Sequence, residues 1–166
     1  MNRKINKIAV IGSGVMGSGI ACHFANVGIE VLLLDIAPNK LNENEEKLGL
    51  SINDKKVKNR IVTEMFQRCI KSKPAPLYHK SFTKRIVLGN LTDDISKISE
   101  VDWIIEVVTE KLNIKQIVFT QIEKFRKKGT LITSNTSGIP IKQMNKGRSE
   151  DFRNHFAVTH FFNPPR

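Results

Sequence analysis

Acidic residues are scarce in this 166-residue sequence, 16 against 27 lysines and arginines, which leaves a formal charge of +11. Such an excess raises the question of a nucleic-acid partner, and its pattern argues against one. Lys outnumbers Arg 19 to 8. The lysines of segments 40–60 and 111–128 are interspersed with acids, whereas nucleic-acid readers gather Arg or aromatic residues on one face. Two readings remain, a Lys/Asn/Ile-rich composition with solvated faces and a small substrate that carries phosphates. Cysteine is nearly absent, and Cys22 and Cys69 make no disulfide framework. Long apolar runs are missing too: the longest, such as Val31-Leu32-Leu33-Leu34, have the length of a strand, so no membrane span is expected. The start, Met1-Asn2-Arg3-Lys4, leads into a strand pattern without the hydrophobic region of a signal peptide, and a reducing cytoplasm is the expected setting. No His/Cys/Asp/Glu spacing suggests a metal. What the chain does have, 40% hydrophobic and 26% charged residues, suits one globular domain over 1–166 with a real core.

Ile8-Ala9-Val10-Ile11 reads as a strand buried on both faces that runs into Gly12-Ser13-Gly14-Val15-Met16-Gly17. Met16, Ile20, Phe24 and Val27 then form one stripe of an amphipathic helix, which Gly28 stops. Val31 to Leu34 is a second buried strand ending at Asp35. About 14 helical residues lead about 21 Å away from the glycine turn, and six extended residues, Glu30 to Asp35, return about 20 Å. Asp35 therefore comes back to the edge that holds the glycines.

A second unit repeats this arithmetic. Asp102 to Val108 reads as a strand, Lys111 to Lys128 as a helix with Ile114, Val118, Ile122 and Phe125 on one side and Gly129 at its end, and Thr130 to Ser134 as the returning strand. Asn135-Thr136-Ser137-Gly138 and Glu110 thus fall on the edge of the glycine turn. After a short connection, Phe156, Val158, His160 and Phe162 alternate as a further strand halted by Asn163-Pro164-Pro165. Between the units, residues 37–85 are too long for a simple link and read as two polar helices closed by Lys73-Pro74-Ala75-Pro76. Ile86 to Leu88 rejoins the sheet. The fold expected is α/β, a Rossmann-type doubly wound and mainly parallel sheet with a helical excursion, whose ligands sit beyond the carboxyl ends of the strands.

The G-x-G-x-x-G of Gly12, Gly14 and Gly17 follows a strand, opens a helix and precedes an acid at a strand end, which points to a dinucleotide site. Gly12 permits the turn, Gly14 the approach of a pyrophosphate, and Gly17 the packing of helix on strand. The helix N-terminus offers N–H groups to phosphate. Asp35 suits ribose hydroxyls and repels a 2′-phosphate, so NAD is favoured over NADP; the lesser alternative is a solvated loop acid. A single His on an apolar strand is more often structural, but His160 ends its strand beside Asn163 and faces the edge of Ser137. His23, His79 and His155 lack that setting. Ser137 can be a turn former or a helix cap, and Glu110 and Lys115 can be ordinary helix-stabilising charges.

Val10 to Gly17, the stretch from Val107-Val108-Thr109-Glu110 to Ser134-Asn135-Thr136-Ser137, and Thr159-His160-Phe161-Phe162-Asn163-Pro164 together resemble the 3-hydroxyacyl-CoA dehydrogenase family, the last stretch most specifically. The resemblance implies an NAD site at Gly12, Gly14, Met16, Gly17, Asp35, Val108, Glu110, Lys115, Ser137 and Asn163. It implies His160 as the catalytic base and Ser137 as the hydroxyl that orients the substrate. The reaction implied is oxidation of (S)-3-hydroxyacyl-CoA to 3-oxoacyl-CoA in fatty-acid β-oxidation, with coenzyme A met by a helical hairpin at 37–85. An imidazole with a free pKa of about 6.5 suits the proton transfer. Thr109 departs from a Val-Val-Glu pattern, at a contact that is largely main chain. The family also has a Glu that partners the His and a helical C-terminal domain, both beyond Arg166. A truncated piece that binds NAD with little turnover is therefore expected, whose whole is a homodimer or a multienzyme complex, with an enoyl-CoA hydratase downstream in similar fusions. Two other readings stand beside it: a 3-hydroxyisobutyrate or 6-phosphogluconate type of dehydrogenase, which uses a Lys base, and a non-catalytic NAD-sensing or structural protein of the same fold.

Overall fold

The computed structural model describes residues 3–165. Six strands form one sheet: β1 (Lys7–Ile11), β2 (Glu30–Asp35), β3 (Ile86–Asn90), β4 (Trp103–Glu106), β5 (Leu131–Asn135) and β6 (Phe156–Thr159). Their order is β3-β2-β1-β4-β5-β6, and every pairing is parallel. This is the doubly wound topology, which changes direction between β1 and β4 and opens a crevice there at the carboxyl edge. The expected mainly parallel sheet is thus parallel throughout the described residues.

Alternation along the strands sends side chains into two cores. Ala9, Ile11, Leu32, Leu34, Ile104 and Ile132 face α5 (Leu112–Phe125) on one side. Ile8, Val10, Val31, Leu33 and Ile105 face α1 (Val15–Asn26) and a helix of the excursion on the other. Both faces are covered, which is why these strands read as continuous apolar runs.

The chain departs from its sequence reading in several places, each with a local cause. The excursion holds three helices rather than two: α2 (Glu43–Lys47), α3 (Lys55–Lys58) and α4 (Arg60–Ile70). The second expected helix is interrupted at Asn59, whose Oδ1 accepts a 2.7 Å bond from Asn90 Nδ2. β4 ends at Glu106 instead of Val108 because the Glu106 carboxylate folds back to accept the Val108 N–H at 2.7 Å. α5 ends at Phe125, four residues before Gly129: Arg126 is extended and pairs with Asp151 at 2.5 Å. β6 ends at Thr159, so His160 and Phe162 follow the strand rather than belonging to it. The connection before β6 contains α6 (Ile141–Met144) and α7 (Glu150–Asn154), which were not expected.

Candidate functional site

The carboxyl ends of β1, β2, β4, β5 and β6 carry every candidate residue except those inside the helices, because all strands point the same way. At β1, Gly12 has φ +103°, and a Cβ there would lie 2.6 Å from the Val107 carbonyl oxygen. A Cβ on Gly17 would lie 1.8 Å from the Gly12 carbonyl oxygen. The protein's own packing therefore requires both glycines. Gly14 differs: a Cβ there would meet nothing within 4 Å, so the fold keeps a free approach in front of this backbone. α1 begins directly behind it with no side-chain cap and no acid in its first turn. Its first N–H groups lack intrahelical acceptors, which leaves donors and a positive dipole end for an anion.

Asp35 returns beside this turn as the spacing predicts. Its Oδ2 accepts bonds from Ser13 N at 2.6 Å and Ser13 Oγ at 2.5 Å, and its Oδ1 accepts Ile36 N at 2.7 Å. The carboxylate is half-buried. It thus fixes the glycine turn and still presents oxygen to solvent. Ser13 went unremarked in the sequence, although a fully buried serine between two glycines ties the turn to β2. Just beyond lies a cavity of 540 Å³ walled by Ile36, Ala37, Leu91, Ile114 and Val118, apolar and adjacent to the acid. A free backbone at Gly14, uncapped donors, an acid and an apolar slot in line fit the phosphates, ribose and base of a dinucleotide.

The ends of β4 and β5 are joined by charge. Lys115 Nζ lies 2.8 and 3.0 Å from the two Glu106 oxygens and 3.4 Å from Glu110 Oε2. Burial pushes the Glu106 carboxyl up against the pull of Lys115 and the Ser134 hydroxyl. Glu106 was overlooked in the sequence, where an acid within Ile104-Ile105-Glu106-Val107-Val108 was the available signal. Glu110 Oε1 accepts from Thr136 Oγ1, and from Ser137 N and Gly138 N at 3.2 Å each. Partial burial would raise the Glu110 carboxyl, but those bonds and Lys115 hold it below the ordinary carboxylate range. Glu110 and Ser137 are therefore neighbours, as expected. Lys115 is fully buried with its ammonium turned inward, so it reaches this edge only from beneath. Val108 is half-buried beside the same pair.

Beyond β6, Phe161 N donates to Asn135 Oδ1 at 2.9 Å, which pins the segment to the end of β5. His160 is exposed at that junction, its ring centroid 5.4 Å from that of Phe162. The chain then crosses towards α1: Phe161 packs edge-on against Phe24, and a Cβ on Gly19 would lie 2.5 Å from Pro165 Cγ. Asn163 borders a 350 Å³ cavity with Val15 and Gly19 of α1. His160 and Asn163 thus share the edge of Ser137 and the glycine turn, while Met16 lies half-buried in the first turn of α1. Among the described residues, no group of three or more His, Cys, Asp or Glu is placed to hold a metal ion, and no helix is long and apolar enough to cross a membrane.

A family model described as "3-hydroxyacyl-CoA dehydrogenase, NAD binding domain" matches residues 7–166. A probable 3-hydroxyacyl-CoA dehydrogenase of Bacillus subtilis is 52% identical over 166 residues, which cover all of this chain and 21% of that protein. A putative fatty acid oxidation complex trifunctional enzyme of Rickettsia felis is 39% identical over 166 residues, again all of this chain and 21% of the relative. Among solved structures, a 3-hydroxybutyryl-CoA dehydrogenase of Escherichia coli aligns with a TM-score of 0.65 at 30% identity, over 98% of this chain and 30% of that one. The chain thus spans about a fifth of the two larger relatives.

Proposed function

Since the chain belongs to the family of NAD-binding domains of 3-hydroxyacyl-CoA dehydrogenases, we propose that it is the cofactor-holding part of an enzyme that oxidises (S)-3-hydroxyacyl-CoA to 3-oxoacyl-CoA in fatty-acid oxidation. The observation that carries this reading is the glycine turn, open in front of Gly14 and tied to Asp35 through Ser13, on the sheet edge that also bears His160. Gly12, Gly14, Met16 and Gly17 would hold the diphosphate with main-chain N–H groups, and Asp35 the adenosine ribose. Val108, Glu110, Ser137 and Asn163 would line the nicotinamide end, with Lys115 beneath them. The bound dinucleotide supplies the acceptor for the hydride that leaves C3.

The protein's own residues handle the proton. A ring nitrogen of His160, exposed beyond β6, takes it from the C3 hydroxyl and returns it in the reverse direction. Ser137 Oγ directs that hydroxyl, an ordering effect that raises the rate without any chemistry of its own. The coenzyme A moiety would run along the excursion, where a 610 Å³ groove lies between α2 and α4 with Leu48, Leu50, Lys55 and Lys56 on its walls. Lys58 is paired with Asp93 at 2.8 Å, whereas Lys55 and Lys56 line the groove and would meet the phosphates. A cytoplasmic multienzyme complex or homodimer is the proposed setting.

The test is NADH formation from (S)-3-hydroxybutyryl-CoA by the full-length protein. His160→Ala should lower kcat by about 10²–10⁴-fold and leave NADH affinity within about twofold. Retained turnover would refute the assignment. Charge reversal at Lys55 and Lys56 should raise KM for the thioester alone.

A further inference from the structure

The dinucleotide site uses neither of the protein's two thiols, yet the fold brings them together. Cys22 lies on α1 between Gly19 and Asn26 at helical spacing and is fully buried, whereas Cys69 lies in the last turn of α4 and is half-buried. Both are free thiols. They meet in the core on the α1 side of the sheet, where Cys69 packs against the cluster that holds Cys22. The contact is direct: the Cys22 S–H donates to the Cys69 sulfur. This bond, with burial, pushes the Cys22 thiol up, and it pulls the Cys69 thiol down against its own partial burial. The two sulfurs are thus unequal, with the readier thiolate at Cys69. A second observation tells which of them a reagent reaches. Cys69 lines the 350 Å³ cavity bordered by Asn163, together with Gly19, His23 and Asn26 of α1, while Cys22 is sealed in the core and is not on that wall. Asn26 ties the chain after α4 back to α1, its Nδ2 donating to the Pro76 carbonyl oxygen at 2.8 Å and its Oδ1 accepting from Tyr78 N at 3.0 Å, so the two helices are held with their thiols side by side. A cysteine that only fills the core needs neither a cavity nor a thiol partner.

We propose that this thiol pair is a modification site for hydroperoxides: Cys69 is the attacking thiol, Cys22 the resolving one, and the product is a disulfide that joins α4 to α1. The Cys69 thiolate attacks the terminal oxygen of a hydroperoxide, ROOH. An S–O bond forms, the O–O bond breaks, and the alkoxide that leaves takes up the proton that Cys69 had lost, giving ROH and a sulfenic acid. The Cys22 sulfur then attacks the Cys69 sulfur: the S–S bond forms, the S–O bond breaks, and the departing hydroxide carries off the Cys22 proton as water. The thiol pair gives up two electrons and the peroxide takes them. Thiol reductants reopen the bridge, which makes it a reversible mark rather than a framework. It fastens the excursion, whose α4 walls the groove of Lys55 and Lys56, to the helix that opens the glycine turn. The inference needs no bound dinucleotide and goes beyond the dehydrogenase reading.

The experiment treats the reduced full-length protein with hydrogen peroxide, blocks the remaining thiols by alkylation and maps the peptides by mass spectrometry. The expected product is a peptide pair linked through Cys22 and Cys69 that a thiol reductant separates. Before oxidation, Cys69 should be alkylated about tenfold or more faster than Cys22. Cys22→Ala should halt the reaction at a Cys69 sulfenic acid that dimedone traps, and Cys69→Ala should slow the oxidation of Cys22 by about tenfold or more. The unfolded protein in urea, where nothing holds the thiols together, should give far less of the linked pair. Absence of that pair from the peroxide-treated native protein would overturn the proposal, and this result depends on no variant folding. An equal yield from the unfolded chain would overturn it as well, since the pairing would then owe nothing to the fold. Undiminished oxidation of Cys22 in Cys69→Ala would refute the assigned order of attack.

Discussion

Two carboxylates, Asp35 and Glu110, each fix a turn at the carboxyl edge of one half of the sheet, and they are held in opposite ways. Among the described residues, Asp35 is met only by neutral donors, Ser13 N, Ser13 Oγ and Ile36 N. Glu110 has neutral donors from the Thr136–Gly138 turn as well, but a buried cation stands behind it. An acid without a charged partner keeps its full negative field for whatever arrives, which suits the selection of ribose hydroxyls over a 2′-phosphate. Glu110 shares the one ammonium of Lys115 with Glu106, which lies closer, so its field is weakened rather than cancelled, and its bonds to the turn fix geometry. On the proposed roles, the half that discriminates is the one whose acid has no charged partner, and the half that aligns is the one whose acid shares a buried lysine.

The glycine turn offers the strongest way to break this comparison, because it separates what the fold requires from what the ligand requires. Gly17→Ala puts a methyl group on the Gly12 carbonyl oxygen, 1.8 Å from it. The main chain must shift, and we expect a loss of about 2 kcal/mol or more, seen as a fall in Tm of about 4–8 °C. Gly14→Ala meets nothing. Its Tm should stay within about 1–2 °C of the parent, as for an unstrained surface change, while NADH affinity drops by about tenfold or more as the methyl group fills the approach to the backbone. Equal losses of Tm for the two would mean that the space before Gly14 is not held for a ligand.

Asp35→Asn sharpens the contrast in selectivity. It keeps one acceptor oxygen, enough for the two Ser13 bonds, turns an NH2 donor towards the Ile36 N–H, and removes the charge. The preference for NAD over NADP, taken from the ratio of kcat/KM values, should shrink by about tenfold, worth about 1.4 kcal/mol, with a modest fall in Tm for the lost Ile36 bond. Glu110→Gln should leave that ratio where it was. A selectivity change at Glu110 instead of Asp35 would exchange the two roles.

How much of this was legible depends on the range over which each feature is written. The strands β1 and β2, helix α1 and the return of Asp35 were readable because a period, a glycine pattern and a length suffice to place them. α6 and α7 were not, since four or five residues are too few to show a helical period. The break at Asn59 depends on Asn90, 31 residues away. Glu106 and Lys115 were each half legible. Lys115 stands four residues before Phe119 and seven before Ile122, both fully buried, so helical spacing already put it on the inner face. Glu106 sits in a strand buried on both faces. Only together do the two anomalies cancel, and pairing them requires knowing that α5 packs over the end of β4. The open space before Gly14 was legible as a place in the Gly12, Gly14, Gly17 spacing, and what each Cβ would meet was not.

The smallest expected effect concerns pH and Glu110. Burial opposes the charge on this carboxylate, but the Thr136 hydroxyl, the Gly138 N–H, Lys115 and the Ser137 N–H outweigh it and hold its folded-state pKa below the ordinary value. A depressed carboxylate contributes stability that is fully present above the unfolded-state pKa of about 4.3 and is lost as pH falls through the folded-state value. At 43% side-chain exposure, solvent screening keeps the contribution to less than about 1 kcal/mol. The parent and Glu110→Gln should therefore differ in urea midpoint at pH 7, and the gap should close as pH is taken below about 4.3. A gap for Glu110→Gln that persists unchanged to low pH would mean that its carboxylate is not drawing stability from the turn, and the alignment role would lose its energetic basis.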